Sequence, residues 1–271
     1  MADWEVIDRQ EMNGTVVEVL GYKQLAGSSD ANAAERLYFV QNAGMQIKMV
    51  RIQIEDSKVR IEPGSLYYMK GDLEMKASTG GGWAKSITRK FTSGENLLVN
   101  EVHGTGEIYL EPTLGHFLLA TTDDEEYIVD KSLFCAGTEN LDVSVAAQRN
   151  VSSALFGGEG LFQTKIAGSG IAVIFSPVPR HEIEEIEIDG KLSVDGNFAI
   201  MRTGGVDFRA EKSSKSWVST SVSGEGLLQT FSGEGKVWIA PTQDVYAKLA
   251  TQYGTYQLSM PPGVVPSQED N

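Results

Sequence analysis

From Met45 to Ile61 the chain alternates, and setting Val50, Ile52 and Ile54 on one face gives the period of two that marks a half-buried strand. Val59 and Ile61 continue the pattern to a Pro63-Gly64 turn, and Leu66, Tyr67, Tyr68 and Met69 start the next strand. Upstream, residues 15–20 (TVVEVL) and 37–40 (LYFV) read as strands around a polar, Ala/Ser-rich loop at 26–36. Segments 84–91, 145–156 and 212–222 fit either a turn of helix or a polar hairpin arm. The helical reading is best at 142–150, where Ala146 and Ala147 favour it. Elsewhere Thr, Val, Ile, Tyr and Phe dominate, and glycines punctuate short runs. This pattern predicts an all-β fold of the sandwich or barrel kind.

One strand is written three times, as GTGEIYLEP from Gly104, GSGIAVIFSP from Gly168 and GEGKVWIAP from Gly233. Its leading glycines are 168 − 104 = 64 and 233 − 168 = 65 residues apart, and its prolines (112, 177, 241) keep the same step. A second glycine motif precedes each copy, at Gly94-Glu95, Gly158–Leu161 and Gly224–Leu227. Landmarks in one order at one period indicate a threefold internal repeat. Glycine is costly inside strands, so the pairs Gly104/Gly106, Gly168/Gly170 and Gly233/Gly235 are read as structural, serving a backbone need. Ile108/Leu110, Val173/Phe175 and Val237/Ile239 share one face of the repeated strand, and Tyr109, Ile174 and Trp238 the other. Bulk on both faces predicts strands that lie between two layers.

These residues resemble the family known as altered inheritance of mitochondria 24, once a domain of unknown function. The resemblance is carried by IEPGSLYYMKGDLEM (61–75), SGENLLVN, GTGEIYLEP, FGGEGLFQTKIAGSGIAVIF (156–175) and SGEGLLQTFSGEGKVWIAPT (223–242), and covers roughly 45–245. It implies three tandem copies similar to the tryptophan RNA-binding attenuator protein, packed as a pseudo-threefold β-prism related to the double-stranded β-helix. It brings no established enzyme activity. Eukaryotic members act in mitochondrial inner-membrane organisation, whereas bacterial members are soluble and poorly understood.

Size and charge narrow the picture. A unit of about 65 residues buries too little surface to be comfortable alone. With 41% hydrophobic residues and no Pro/Ser/Gly-rich linker, the expectation is one domain over 1–256 with repeats at roughly 45–115, 116–180 and 181–245, then a flexible tail at 257–271. The 23 basic against 37 acidic residues give a net charge of −14. That field opposes nucleic acid and anionic membranes, and Lys85, Arg89 and Lys90 are too few to reverse it. A lone Cys135 fits a reducing compartment. The segment MADWEVIDRQE has neither a basic nor an apolar leader region, and no run approaches a membrane span, so a cytoplasmic location is expected.

Candidate chemistry is thin. His103, His116 and His181 do not form a metal-ligand motif, and Ala167 and Ser232 replace His103 in the other copies. Cys135 reads as a structural thiol. The stretch 79–86 looks superficially like a phosphate loop, but Thr79 and Ala84 stand where glycines are required. The acidic runs Asp123–Glu126 and Glu182–Asp189 read as solvated turns, and Trp83, Trp217 and Trp238 as core or interface. No catalytic, cofactor-binding or metal residue is assigned and no cofactor is expected. The leading expectation is a non-catalytic scaffold or protein-interaction module, with protein partners, no nucleic acid, no membrane insertion and a homo-oligomer left open. The alternatives are a small-ligand binder using clefts between repeats and, third, an uncharacterised metal-dependent hydrolase.

Overall fold

The computed structural model describes residues 3–77, 99–130, 133–147, 162–195, 198–212, 227–252 and 254–259. Outside them lie the glycine motifs at 94–95, 158–161 and 224–226, the loop at 79–86, Trp83, Trp217 and the tail beyond Ser259. Segment 84–91 and most of 145–156 and 212–222 also fall outside. The chain is mostly β, its described strand pairings are antiparallel, and it divides into two compact units.

The first unit comprises Met1–Ala147 and Phe162–Arg180. Its strands are β1 (Trp4–Met12), β2 (Thr15–Tyr22), β3 (Lys48–Ile61), β4 (Leu66–Ala77) and β5 (Asn100–Leu110), followed by β6 (His116–Asp123), β7 (Tyr127–Asp130), β8 (Phe134–Thr138), β9 (Leu141–Ala147) and β10 (Phe162–Ser176). They form a large antiparallel sheet whose path β1-β2-β3-β8-β10-β7 does not close, so the barrel form of the sequence expectation is not what is seen. Strand β3 lies between β5 on one side and β2 and then β8 on the other. Its Val50, Ile52 and Ile54 are buried as the alternation predicts. Val59 and Ile61 are buried too, although they fall on odd numbers. The cause is a bulge. Ile54 pairs with Gly106 and Ser57 with Gly104, so β3 spends one extra residue there, and Asp56 takes φ 45°. The bulge flips the parity and keeps both halves of the strand on the core. That core gathers Val17, Val19, Val102, Ile108, Leu110, Ile171 and Val173 around them, each worth about 1.5–3 kcal/mol when fully buried.

Two sequence expectations fail in this unit. Residues 37–40 are not a strand; they lie in helix α1 (Ala31–Asn42). Asp30 caps it, its carboxylate accepting from the Ala33 N–H at 2.9 Å, and the Ala-Asn-Ala-Ala-Glu-Arg run outweighs the local β preference of Leu37–Val40. Residues 142–147 are not helical; they form β9, paired along Phe162–Gly168 of β10. The ladder and the burial of Val143 and Val145 override the alanine propensity.

The second unit comprises Gln148–Leu161 and His181–Asn271. Strand β14 (Leu227–Ile239) runs between β11 (Glu184–Asp195) on one side and β12 (Ala199–Thr203) with β13 (Val206–Lys212) on the other. Its core holds Val206, Phe208, Phe231 and Val237, with Ile188 and Val194 at the margin. Helices α2 (Gln243–Leu249) and α3 (Gly254–Ser259) end the described chain.

Candidate interaction face

The residues of β3 that alternate with Val50, Ile52 and Ile54 are Met49, Arg51 and Gln53, and they share the other face with their cross-strand partners, Met49 buried there with Leu20 and Tyr109. The register sets one row across five strands: Arg9 on β1 faces Glu18 on β2, Glu18 faces Arg51 on β3, Arg51 faces Tyr109 on β5, and Tyr109 faces Tyr68 on β4. A second row runs Glu11, Val16, Gln53, Glu107, Lys70. Two rows of side chains, polar or aromatic except for Val16, therefore lie on the reverse side of the sheet from the apolar core.

Their groups are matched to one another. Glu18 is buried, and its carboxylate accepts from Arg51 Nε at 2.8 Å and from the second guanidinium arm as well. Arg9 approaches the other oxygen at 3.5 Å and is itself 2.6 Å from Glu11. Arg51 also hydrogen-bonds the Tyr109 hydroxyl, which donates to Glu107 at 3.0 Å. Glu107 further accepts from Gln53 at 3.2 Å and sits 3.5 Å from Lys70. Tyr68 stacks on Tyr109 with ring centres 4.2 Å apart, Tyr67 meets Tyr68 edge-on, and Trp4 leans on Tyr22.

The electrostatics follow from this matching. Burial and the neighbouring Glu107 carboxylate raise the Tyr109 hydroxyl above the ordinary phenol range, against the opposing pull of Arg51. Burial raises Tyr68 and Tyr22 as well. For Glu107 partial burial opposes ionisation, but donors from Tyr109, Gln53 and Lys70 prevail and hold it below its usual value. Burial depresses Arg51, yet its bonds to Glu18 and Tyr109 leave it higher than usual. The phenols thus stay protonated and Glu107 ionised near neutrality. Proton transfer wants a group poised near the working pH, and these are driven away from it.

The second unit carries a smaller row of the same kind. Trp238 on β14 faces Glu185 on β11, and its indole N–H donates to the Glu185 carboxylate at 2.9 Å, with Lys236 2.6 Å from the other oxygen. Tyr109, Ile174 and Trp238 are all buried, at 8%, 0% and 5% exposure, as bulk on both strand faces predicts.

The glycines sit where backbones crowd. Gly104, Gly168 and Gly233 adopt φ +125°, +100° and +117°, and an added Cβ would lie 2.0 Å from Asp72 O, 2.4 Å from Asn140 O and 2.8 Å from Gly205 O. A Cβ at Gly106 would meet Lys70 O at 2.3 Å, at Gly170 the Thr138 hydroxyl at 2.4 Å, and at Gly235 the Thr203 hydroxyl at 2.2 Å.

The other candidates are not brought together. His103 Nε2 is 3.3 Å from Glu101 on β5, His116 opens β6, and His181 is exposed beside Glu182. Burial pushes the Cys135 thiol up to about 12, and its Sγ lies 3.7 Å from Leu133 O, the environment of an unreactive thiol. Glu126 pairs with Lys165, and Glu182 accepts from the hydroxyls of Thr242 and Tyr246. Among the described residues no three His, Cys, Asp or Glu side chains converge as a metal-ligand set, and no helix is long and apolar enough to cross a membrane. Sequence reading misses the row itself. The polar alternation of Arg51 and Gln53 is visible, but their partners on β2 and β5 depend on register.

Comparison with known proteins adds the family. A solved structure from Streptococcus pyogenes superposes with a TM-score of 0.55 at 21% identity, covering 72% of this chain and 88% of its own, and so shares the fold. An uncharacterized protein of Streptococcus pyogenes serotype M6 is 26% identical over 216 residues, 75% of this chain and 85% of that protein. Residues 40–242 match the family described as Mitochondrial biogenesis AIM24, and the chain belongs to that family.

Proposed function

We propose that the chain is a non-catalytic scaffold or protein-interaction module, presenting the face across β1, β2, β3, β5 and β4. The observation that carries the reading is the row from Arg9 to Tyr68. Its charges are consumed in holding one another, and its phenols and carboxylate are tuned away from proton transfer. Tyr68 and Tyr67 at its margin are exposed and amphipathic, the side chains that protein contacts favour.

The three-copy construction belongs to the same proposal. In each copy a last strand bearing the glycine pair is flanked by the first and second: β5 by β3 and β4, β10 by β6/β7 and β8/β9, and β14 by β11 and β12/β13. The second strand carries one extra residue near the same end, at Tyr67, Cys135 and Ile200. Thr138 and Thr203 each accept from the backbone N–H next after the second glycine, Ile171 and Lys236. A pseudo-threefold prism made of these copies, similar to the tryptophan RNA-binding attenuator protein, and a cytoplasmic setting complete the reading.

Quantitative affinity purification of wild-type protein and of Tyr68→Ala, with circular dichroism confirming that the variant folds, tests the function. Specific proteins retained by the wild type and lost with the variant are expected. An identical set from both, or turnover on the purified protein abolished by one substitution, overturns it. The small-ligand reading would instead show as a thermal shift with amino acids, nucleotides or metals.

A further inference from the structure

Among described strands of nine or more residues, three pair on one side only: β1, β4 and β11. Such edges are templates for another strand unless they are blunted. Strand β1 is blunted by its register shift at Val6/Asp8. Strand β11 repels its own kind, since Glu184, Glu185, Glu187 and Asp189 crowd one half of it. Strand β4 has twelve residues and exposes Tyr67, Tyr68, Met69 and Met75 at 57%, 42%, 38% and 46%.

Its two faces differ in kind. Met69 and Met75 stand opposite Ile108 and Val102, both core residues, and Leu73 packs on that same core. These odd-numbered positions carry the apolar face one strand beyond the last buried row. The even-numbered positions Lys70, Asp72, Glu74 and Lys76 carry charge on the other face. Lysines on an edge ordinarily discourage pairing, so the decisive question is what a second strand would set against them.

We propose that two copies of this chain pair through β4, antiparallel about a twofold axis at Gly71. Only an even register keeps the apolar faces on one side of the joined sheet, because a slip of one residue inverts every side chain. About Gly71, Lys70 meets Asp72 of the second copy twice over and Met69 meets Leu73, all beyond the extra residue at Tyr67. Centring on residue 70 sets Lys70 against itself, and centring on 72 sets Asp72 against itself. Centring on 73 opposes Lys70 to Lys76 and Asp72 to Glu74. Like charges directly opposite are destabilising and opposite charges favourable, and of the registers centred from 70 to 73 only the one about Gly71 joins opposite charges with no like pair across the axis. The sheet continues across the twofold and the unfinished apolar row of each copy is covered by the other.

Light scattering coupled to size exclusion tests this on the full chain at micromolar concentration. Wild type is expected at twice 29.4 kDa. Asp72→Lys and Lys70→Asp, each placing like charges across the axis, are expected to be monomers with unchanged circular dichroism. Mixed in equal amounts they should recover the dimer, because the first then brings two basic side chains to the axis and the second sets two acidic ones against them. A monomeric wild type overturns the proposal, as does a dimer indifferent to either substitution or a mixture that stays monomeric.

Discussion

At Gly104 two penalties coincide, since φ is +125° and a Cβ would sit 2.0 Å from Asp72 O, a backbone atom that cannot turn aside. Gly190 has nearly the same φ, +126°, with nothing within 4 Å. Left-handed strain alone costs about 1–3 kcal/mol for a side-chain residue. Gly190→Ala should lose about that much in urea unfolding, and Gly104→Ala distinctly more; equal losses would mean that the close approach is irrelevant. Glu107 supports a second prediction. Its donors hold its folded ionisation below the usual carboxylate value, so the unfolded chain takes up the proton first as pH falls. The stabilisation is present above the unfolded value and is lost as pH drops through the folded one. Glu107→Gln should flatten that part of the acid limb, read from urea midpoints across a pH series, and leave the slope near neutrality unchanged.

Elements were legible where one signal dominated. The period of two from Val50 to Ile54 specifies β3 because its two faces meet different surroundings, and the repeated glycines mark the strands they sit in. The bulge at Asp56 was not legible, since it answers to the spacing of Gly104 and Gly106 on another strand. For the same reason the site's polar residues could be seen singly while their row could not, as the Arg51–Tyr109 pairing exists only through the ladder. Helix α1 was misread because Leu37–Val40 look like a strand, whereas Asp30, the capping residue, lies seven positions before them. That helix has no buried residue to hold it, so its cap should matter locally. Removing a side-chain cap costs about 0.5–2 kcal/mol. Asp30→Ala should therefore speed amide exchange across Ala31–Asn42 while hardly moving the global unfolding midpoint. A large drop in that midpoint would show that α1 is tied to the core after all.

At the scale of the molecule the described residues of the two units form core clusters of different size and depth. Among the described residues the core around β3, β5 and β10 assembles thirteen buried apolar side chains, all at 0–3% exposure, and the polar row clamps the outer face of β3 and β5. Among the described residues the core cluster around β14 has six, of which Ile188 and Val194 are 8% exposed. Opening a strand costs what its buried contacts supply, so local stability should follow this difference. Charge acts in the same direction. Glu184, Glu185, Glu187 and Asp189 bring one sign to β11, and Lys236 answers Glu185 and Glu187, at 2.6 and 3.8 Å. Hydrogen exchange followed by mass spectrometry should find β3, β5 and β10 protected longest and β11 with β13 exchanging sooner. Added salt should slow exchange in β11 more than in β3, since exposed like charges are screened while the Glu18–Arg51 pair is shielded by burial. If β11 and β14 outlast β3, burial is not what orders stability in this chain.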